Sequence, residues 1–129
     1  MQTGNVQARL RARGSSMTAQ RRAILHFLDG NVDHPTAAEI FEAVTREHPV
    51  TSRATVYNTL ALLEEVGAVR VLREAGLEAR FDPNTSPHHH LHCQRCGRIE
   101  DVPADAVEVR VNGAVVSGHV RIDGRCAAC

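Results

Sequence analysis

The chain has 129 residues and a formal net charge of zero, and it contains no lysine, so arginine supplies all of its permanent positive charge. This length suits one domain or two small ones, and a hydrophobic content of 43% is ordinary for a globular protein. No apolar run approaches the roughly 20 residues that a membrane-spanning helix needs, and the start of the chain has no apolar segment like that of a signal peptide. We therefore expect a cytoplasmic protein without a membrane partner.

An arginine-rich segment begins the chain. Residues 1–22 contain no acidic residue and five arginines, which are Arg9, Arg11, Arg13, Arg21 and Arg22. Because guanidinium groups make bidentate contacts with phosphate and guanine, this segment is a candidate DNA-binding arm despite the zero net charge. A solvated, disordered tail is the alternative interpretation of the same residues.

Three helices are predicted in the first part of the chain. The first two begin at a hydroxyl side chain that can accept a backbone N–H, and all three are followed by a glycine or a proline, which disfavours further helix. Thr36 and Glu39 form a capping box at the start of the second helix. The predicted bounds run from Thr18 to Asp29, from Thr36 to a residue before Pro49, and from near Ser52 to Gly67.

A β-hairpin is predicted after the third helix. Apolar and polar residues alternate over 69–72, a glycine turn follows, and a second short strand ends at Phe81. Three helices followed by a hairpin is the order of a winged helix-turn-helix, in which the third helix enters the major groove of DNA. A packing module that binds no DNA has the same order of elements.

The second part of the chain, residues 82–129, is rich in cysteine and histidine and is predicted to be mostly β. Alternating valines predict a strand over 107–111. Asn112 and Gly113 then predict a type I′ hairpin turn, because both central positions of that turn need positive φ. The return strand would begin at residues 115–116. We therefore divide the chain into domains 1–81 and 82–129.

Two matched cysteine pairs, Cys93 with Cys96 and Cys126 with Cys129, predict a metal site. Two residues separate the thiols of each pair, so both can point at one ion, and two such pairs complete a tetrahedral site with four thiolates, which suits Zn(II). Four protein ligands leave no position for water, so this zinc should be structural. Disulfides and redox-active pairs are the alternatives, and a cytosolic chain disfavours structural disulfides.

A histidine cluster lies just before the first cysteine pair. In a strand, His88 and His90 would lie on one face and His89 on the other. Two histidines on one face near carboxylates predict a second metal site of the nitrogen and oxygen type, which suits Fe(II), Mn(II) or Zn(II). Asp82 and Asp101 flank the cluster, but the residues alone do not say which carboxylates take part.

Six motifs run in order over most of the chain: TAQRRAIL (18–25), HPTAAEIF (34–41), SRATVYNTL (52–60), RFD (80–82), HHHLHCQRCGRIED (88–101) and CAAC (126–129). Together they resemble the ferric uptake regulator (Fur) family of bacterial transcription factors. The resemblance implies an α+β protein with an N-terminal winged-helix DNA-binding domain and a small C-terminal α/β dimerisation domain. It also implies a homodimer that binds double-stranded operator DNA, with no small-molecule substrate and no enzymatic activity.

The resemblance further implies roles for individual residues. The four cysteines match the family's structural zinc site. Five residues match its regulatory site for Fe(II) or Mn(II), whose ligands come from both domains and the hinge: His34, Asp82, His88, His90 and Asp101. A metal bound there would tie the domains together and fix the angle between the DNA-reading helices of a dimer, so it would act as a corepressor.

The resemblance places the DNA contacts in the third helix, with the basic arm as a further contribution. Tyr57 matches the family's base-contacting tyrosine, and a tyrosine buried in the core is the alternative. The complete predicted set is Arg13, Arg21, Ser52, Arg53, Thr55, Tyr57 and Asn58.

Within the family, the chain is most similar to the peroxide-responsive regulators. Asp101 stands where iron-uptake members usually carry Glu, and Asn58 follows Tyr57 where those members usually carry Arg. In the peroxide-responsive group, bound Fe(II) reacts with hydrogen peroxide, a ligating histidine is oxidised and the repressor releases DNA. A manganese- or iron-uptake regulator without peroxide sensing is the alternative that the sequence leaves open.

The sequence also departs from the family pattern. Pro87 and His89 stand where a further metal site usually has a histidine and an acid, so that site is not expected in its usual form, and His119 is expected on a strand surface. The segment between Asp101 and Cys126 is shorter than usual. A zinc hydrolase that uses the histidine cluster is an alternative from another class. It would need an open metal position, a general base and a substrate pocket, and the chain has no HExxH or similar catalytic signature. A thiol redox protein is the third class considered.

Overall fold

The computed structural model describes residues 3–115 and 118–129 and divides into two compact units. The first unit ends at Thr85, and the second runs from Ser86 to Cys129. The sequence-based boundary after residue 81 lies just before this division.

Four helices and a hairpin make up the first unit. The elements are α1 (Thr3–Ala12), α2 (Ala19–Leu28), α3 (Ala37–Glu47), α4 (Arg53–Glu65), β1 (Arg70–Leu72) and β2 (Arg80–Asp82). The three predicted helices correspond to α2, α3 and α4, and the predicted winged-helix fold is confirmed. Within the described residues, none of the helices has both the length and the apolar composition needed to cross a membrane.

Helix α1 was not expected, and the interpretation of the arginine-rich segment as a disordered tail is wrong. Val6 and Leu10 lie one turn apart on α1, are only 3% and 0% exposed, and belong to the core that α2 to α4 also form. At its end, Arg9 Nη1 donates to the carbonyl of Val66, just beyond α4, at 3.3 Å. The burial of two apolar side chains therefore fixes the arm as a helix with its arginines on the surface.

Side-chain caps begin the three helices, at the predicted Thr18 and Thr36 and also at Ser52. Thr18, Thr36 and Ser52 each accept a backbone N–H from the residue three positions further on, at 3.2, 3.2 and 3.0 Å. Each hydroxyl thereby satisfies a donor that the helix itself leaves unpaired. Of the predicted capping box, the hydroxyl half is thus present, whereas the carboxylate of Glu39 accepts a hydrogen bond from the Thr36 hydroxyl at 3.2 Å and not, as predicted, from a backbone N–H.

Helix α4 is terminated by Gly67, which follows its last residue by two positions and has a φ of 75°. The N–H of Gly67 donates to the carbonyl of Glu64 at 3.0 Å, and the N–H of Ala68 donates to the carbonyl of Leu63 at 2.8 Å. These two bonds form a Schellman motif, whose glycine adopts a conformation that side chains with a Cβ disfavour. The chain is thereby turned directly into β1.

The hairpin of β1 and β2 holds the loop that precedes α3. The two strands are antiparallel, with Val71 opposite Phe81. The N–H of Phe81 donates to the carbonyl of Pro35 at 2.9 Å, and Arg80 Nη1 donates to the carbonyl of His34 at 3.0 Å. As a result, two segments that are distant in sequence lie side by side in the first unit.

The second unit consists of short strands and one turn of 3₁₀ helix. The strands are β3 (His88–Cys93), β4 (Ile99–Pro103), β5 (Arg110–Val111), β6 (Ala114–Val115) and β7 (Arg121–Gly124), and the 3₁₀ helix is Ala104–Ala106. A three-stranded sheet has the order β4-β3-β7, in which β4 is antiparallel and β7 parallel to β3. Strands β5 and β6 form a separate hairpin.

The predicted hairpin turn is confirmed, because Asn112 and Gly113 have φ values of 51° and 82°. Its first strand is shorter than predicted: residues 107–109 lie outside β5. The alternation of valines permits an extended chain, and among the described residues the ladder pairs Arg110 with Val115 and Val111 with Ala114. Val116, which was predicted in the return strand, lies outside the described residues.

We expect Gly67→Ala to lower the free energy of unfolding by about 1–2 kcal/mol, because an L-residue in the left-handed region is disfavoured by that amount. Chemical denaturation of the reduced, metal-free chain would measure it. Gly4→Ala in α1 is the matched control, because a Cβ there meets no atom within 4 Å and alanine favours a helix. A loss for Gly67→Ala no larger than that for Gly4→Ala would contradict the Schellman assignment.

Candidate metal centres and nucleic-acid interface

Four sulfur atoms converge beside the end of β3. Cys93 ends β3, Cys96 follows in the turn, and Cys126 and Cys129 follow β7. The sulfur atoms lie 3.5 Å apart for Cys126 and Cys129, 3.7 Å apart for Cys96 and Cys126, and 3.8 Å apart for Cys93 and Cys129. The parallel pairing of β7 with β3, which sets Gly124 opposite Cys93, brings the second cysteine pair alongside the first.

The sulfur geometry fits a tetrahedral metal ion. Four thiolates bound at the roughly 2.3 Å of a zinc–sulfur bond would lie about 3.8 Å from one another. A disulfide would instead bring two sulfurs to about 2.05 Å, and all four cysteines are free thiols. The arrangement therefore favours a closed, four-thiolate metal centre over the disulfide alternative.

Backbone N–H groups prepare Cys93 to act as a thiolate. Its sulfur accepts the N–H of Cys126 at 3.3 Å and that of Cys96 at 3.5 Å, and these bonds lower the pKa of Cys93 to about 5. Hydrogen bonds with the thiols of Cys126 and Cys96 raise the pKa of Cys129 to about 12. A divalent cation would displace the protons that the metal-free cluster retains.

His88, His90 and Asp101 form a second cluster, which lies wholly within the second unit. Strand pairing sets Asp101 directly opposite His90. The Nε2 atoms of the two histidines are 3.1 Å apart, and Asp101 Oδ1 lies 3.3 Å from His88 Nε2 and 3.2 Å from His90 Nε2. Both histidines are buried. Two imidazoles and one carboxylate converging in this way offer one face of a coordination shell for a divalent ion such as Fe(II).

The opposite nitrogen of each histidine ring also has a neighbour. His88 Nδ1 lies 2.6 Å from the carbonyl of Ser86. Because a carbonyl only accepts, the neutral His88 ring carries its proton on Nδ1, and its unprotonated Nε2, like the Asp101 carboxylate beside it, is left able to bind a cation. His90 Nδ1 lies 2.5 Å from Nε2 of His119. Hydrogen bonds at the far nitrogen are what orient metal-binding histidines.

In the first unit, His34 and Asp82 form a buried pair. His34 Nε2 lies 3.6 Å from Asp82 Oδ2, and the side chains are 0% and 1% exposed. Asp82 Oδ1 accepts the N–H of Asn84 at 2.9 Å, so one carboxylate oxygen is bonded to the backbone and the other lies near His34. His34 has a positive φ of 52°, a conformation that costs a residue with a Cβ energy and often occurs at functional positions.

The predicted regulatory ligands therefore form two groups, a pair in the first unit and a triad in the second. That the two groups bind one metal ion stays a prediction. His119 is exposed, as the sequence predicts, but it lies in the segment before β7 and not on a strand as expected. Sequence reasoning missed its contact with His90, and no local pattern marks it, because the contact arises from the pairing of β7 with β3. His89 is buried and its Nδ1 accepts the N–H of Val120 at 3.0 Å.

Helix α4 presents a polar face for the predicted nucleic-acid interface. Tyr57 is 53% exposed, whereas Val56 and Leu60 are buried, so the alternative of a core tyrosine is wrong. Asn58 is also exposed. Both side chains are accessible to a ligand in solution.

Three predicted DNA-contacting arginines make contacts within the protein. The guanidinium of Arg53 lies 4.5 Å from the centre of the Phe41 ring, a cation–π contact. Arg21 donates to a backbone carbonyl of the preceding loop at 2.6 Å. Arg13 forms an ion pair with Glu65. These contacts restrict where the arginines can lie on the surface.

Ser52 and Thr55, which are also predicted DNA contacts, together form the start of α4. Their hydroxyl oxygens are 2.9 Å apart, and the Ser52 oxygen caps the helix. Both residues therefore stabilise the end of α4 that carries Arg53. A contact with DNA would be a second role.

The fold and the clusters define a winged-helix protein with a four-thiolate group and a histidine–aspartate group. Residues 12–123 match the sequence model of the Ferric uptake regulator family, and the chain belongs to this family. Over 94 residues it is 43% identical to the peroxide-responsive repressor PerR of Staphylococcus aureus, a match that covers 73% of this chain and 64% of that protein. The match thus spans less than two thirds of the relative.

Solved structures have the same fold. The ferric uptake regulator of Helicobacter pylori, described with three functional metal-binding sites, superposes with a TM-score of 0.76 over 100% of this chain and 94% of its own, at 20% identity. At that identity the similarity shows the fold alone. PerR of Streptococcus pyogenes, described in terms of peroxide sensing and gene regulation, superposes with a TM-score of 0.57 at 28% identity, over 97% of this chain and 90% of its own.

We expect Cys93→Ser to abolish tight Co(II) binding at the four-thiolate centre, seen as loss of the thiolate-to-cobalt absorption. It should also destabilise the metal-free chain, because a serine oxygen lies closer to Cβ than sulfur does and would accept less well from the backbone N–H groups of Cys96 and Cys126. Cys96→Ser is the matched control: it removes one exposed thiolate and should abolish tight binding with a smaller loss of stability. Retention of the full absorption by Cys93→Ser would rule out the four-thiolate centre.

Proposed function

We propose that the protein is a metal-dependent transcriptional repressor that binds double-stranded operator DNA as a homodimer, with Fe(II) or Mn(II) as corepressor and hydrogen peroxide as its signal. It would act in the cytoplasm, and it would be neither an enzyme nor a binder of a small-molecule substrate. One observation carries the proposal: a buried histidine–aspartate pair in the winged-helix unit and a convergent triad in the other unit together provide the five predicted ligands.

The four-thiolate centre would hold Zn(II) permanently. Its support is the set of sulfur–sulfur distances, which fits a closed tetrahedral ion. Because the thiolates occupy all four positions, the ion would not act as a catalyst. Its binding energy would contribute to folding of the second unit by joining the end of the chain to β3.

The regulatory metal would bind His34, Asp82, His88, His90 and Asp101. Imidazole and carboxylate ligands suit Fe(II) and Mn(II) better than they suit a thiophilic ion. Since the ligands come from both units, the metal would favour arrangements in which all five residues reach it, and so would shift the population of arrangements. If one of these binds DNA best, metal and DNA must strengthen each other's binding equally.

Peroxide sensing is supported by the 43% identity to a peroxide-responsive repressor. When bound, Fe(II) supplies the redox chemistry by which hydrogen peroxide oxidises a ligating histidine. The residues of this chain would hold three imidazoles around the ion, bury them, and lose the ion once one is modified. Regulation of manganese or iron uptake without peroxide sensing is the competing function.

DNA binding would use the exposed face of α4 and the arginines around it. Tyr57 and Asn58 would reach base edges in the major groove, where an asparagine side chain can bond adenine through two hydrogen bonds. Arg13, Arg21 and Arg53 would contact phosphates, and the α4 terminus, capped by Ser52 and Thr55, would lie beside them. The exposure of the α4 side chains supports this orientation.

A gel-shift titration tests the function directly. The full chain would be mixed anaerobically with the promoter region of its own gene, without added metal, with Mn(II) or with Fe(II), each with and without micromolar hydrogen peroxide. We expect DNA binding to require metal, and peroxide to abolish it only in the Fe(II) sample, with a gain of one oxygen atom on a ligating histidine.

The control separates the predicted ligand from other histidines. His34→Ala should lose metal-dependent DNA binding while keeping its zinc, whereas His26→Ala, which changes an exposed histidine of α2, should behave as the wild type. Metal-dependent binding that ignores peroxide would move the protein to metal-uptake control. DNA binding that ignores added metal would contradict the proposal.

The DNA-contacting residues should differ in a measurable way. We expect Asn58→Ala to weaken specific binding by about 1–3 kcal/mol while leaving its salt dependence unchanged, because it removes base contacts. Arg53→Ala should weaken specific and non-specific binding alike and lower the salt slope by about 1, because it removes a phosphate contact. Filter binding over a range of salt concentrations measures both, and the reverse pattern would contradict the assignment.

A further inference from the structure

We propose that His119 is a positioning residue for the regulatory metal: it holds the ring of His90 so that Nε2 of His90 faces the ion. The inference rests on the proposed function, since it takes His90 as a ligand. His119 itself lies outside the predicted ligand set. Its Nε2 lies 2.5 Å from His90 Nδ1, and the two ring centres are 4.8 Å apart at an angle of 53°.

His88 shows what such a contact does. Its Nδ1 donates a hydrogen bond to the carbonyl of Ser86 at 2.6 Å. This places the proton on Nδ1 and leaves Nε2 unprotonated and able to bind a metal. His88 thus needs only the backbone to select its tautomer. His90, two residues further along the same strand, meets the side chain of His119 at the corresponding nitrogen.

The same reasoning determines the protons of the second contact. A histidine that binds a metal through Nε2 must have that nitrogen unprotonated, so the proton of His90 lies on Nδ1. His90 Nδ1–H therefore donates to His119 Nε2, and a neutral His119 carries its own proton on Nδ1. In this arrangement His119 Nε2 accepts the hydrogen bond from His90. His119 therefore acts on the metal through His90 and not as a ligand.

Backbone bonds hold His119 in place. The N–H of Val120 donates to His89 Nδ1 at 3.0 Å, and the N–H of His90 donates to the carbonyl of Val120 at 3.3 Å. Gly118 has a φ of 124°, which glycine adopts readily and other residues do not. The three successive histidines of the strand thus serve two purposes. His88 and His90 face the metal site, and His89 forms the hydrogen bond that holds the segment carrying His119.

A substitution at His119 would therefore disturb the orientation of His90 while leaving His90 itself in place as a ligand. Loss of a hydrogen-bond partner behind a metal-binding histidine typically costs about 10–100-fold in metal affinity. Without His119, the buried His90 ring would populate both tautomers and rotate more freely. Part of the binding energy would then be needed to order it.

The test uses the full chain with zinc in its thiolate centre and compares wild type with His119→Ala, His119→Gln and His26→Ala. Glutamine can place an accepting oxygen near the position of His119 Nε2, so it should rescue the function, and His26→Ala controls for loss of an exposed histidine. One readout is Mn(II) affinity by competition titration. The other is the tautomer of His90 without Mn(II) or Fe(II), measured by long-range proton–nitrogen NMR.

We expect His119→Ala to weaken Mn(II) binding by about 10-fold or more and to mix the His90 tautomers, while His119→Gln restores both. Unchanged affinity and an unchanged tautomer in His119→Ala would overturn the proposal. A folded His119→Gln variant with a wild-type His90 tautomer but lost affinity would also overturn it, because His119 would then be a ligand. If wild type itself binds no Mn(II) or Fe(II) while its His90 tautomer depends on His119, the proposed function fails and the hydrogen bond stands.

Discussion

Strand β3 is the element on which both candidate metal centres depend. Its six residues begin with the histidines of one centre and end with Cys93 of the other. Antiparallel pairing with β4 sets Asp101 opposite His90, and parallel pairing with β7 sets Gly124 opposite Cys93. A slip of one residue would turn the histidines to the other face of the sheet. One register therefore determines the geometry of two centres with different chemistry.

The two centres support that register unequally. The four thiolates join the end of β3 to the segment after β7, so an ion there would close a loop that includes β4 and the whole β5–β6 hairpin. Closing a loop of this kind removes conformational freedom mainly from the unfolded chain. A filled thiolate centre would thus keep Asp101 and His119 beside β3 while the second centre is empty. The permanent ion would prepare the site of the exchangeable one.

Features set by short-range hydrogen bonding could be predicted from the sequence. The caps at Thr18, Thr36 and Ser52 and the reversal at Gly67 each involve donors and acceptors a few residues apart, and a local pattern is sufficient to identify them. The same holds for the turn at Asn112, where two positive φ values are required. The cysteine pairs were recognisable because the spacing within each pair fixes how two thiols can share an ion.

Features set by long-range packing could not be predicted in this way. Helix α1 has few apolar residues, and its burial of Val6 and Leu10 depends on a core built by later helices. The contact between His90 and His119 depends on two strands that pair across most of the second unit. The composition of the regulatory ligand set came from family resemblance, because no spacing rule connects His34 to residues in the other unit.

The charge distribution gives a physical reason why geometry could control DNA binding. With zero net charge, the chain has little general attraction for a polyanion, so its affinity would depend on a few well-placed arginines. Arg13 would exchange its ion pair with Glu65, an exposed interaction worth about 0–1 kcal/mol, for a phosphate contact that releases counterions. Arg53 would not have to give up an ion pair of this kind for its cation–π contact with Phe41, which uses the positive charge and not an N–H hydrogen bond. If the proposed function holds, a repressor that gains little from overall charge would have to place these groups and α4 correctly in both halves of a dimer. Its DNA affinity would then be sensitive to a metal that restricts the arrangement of its units.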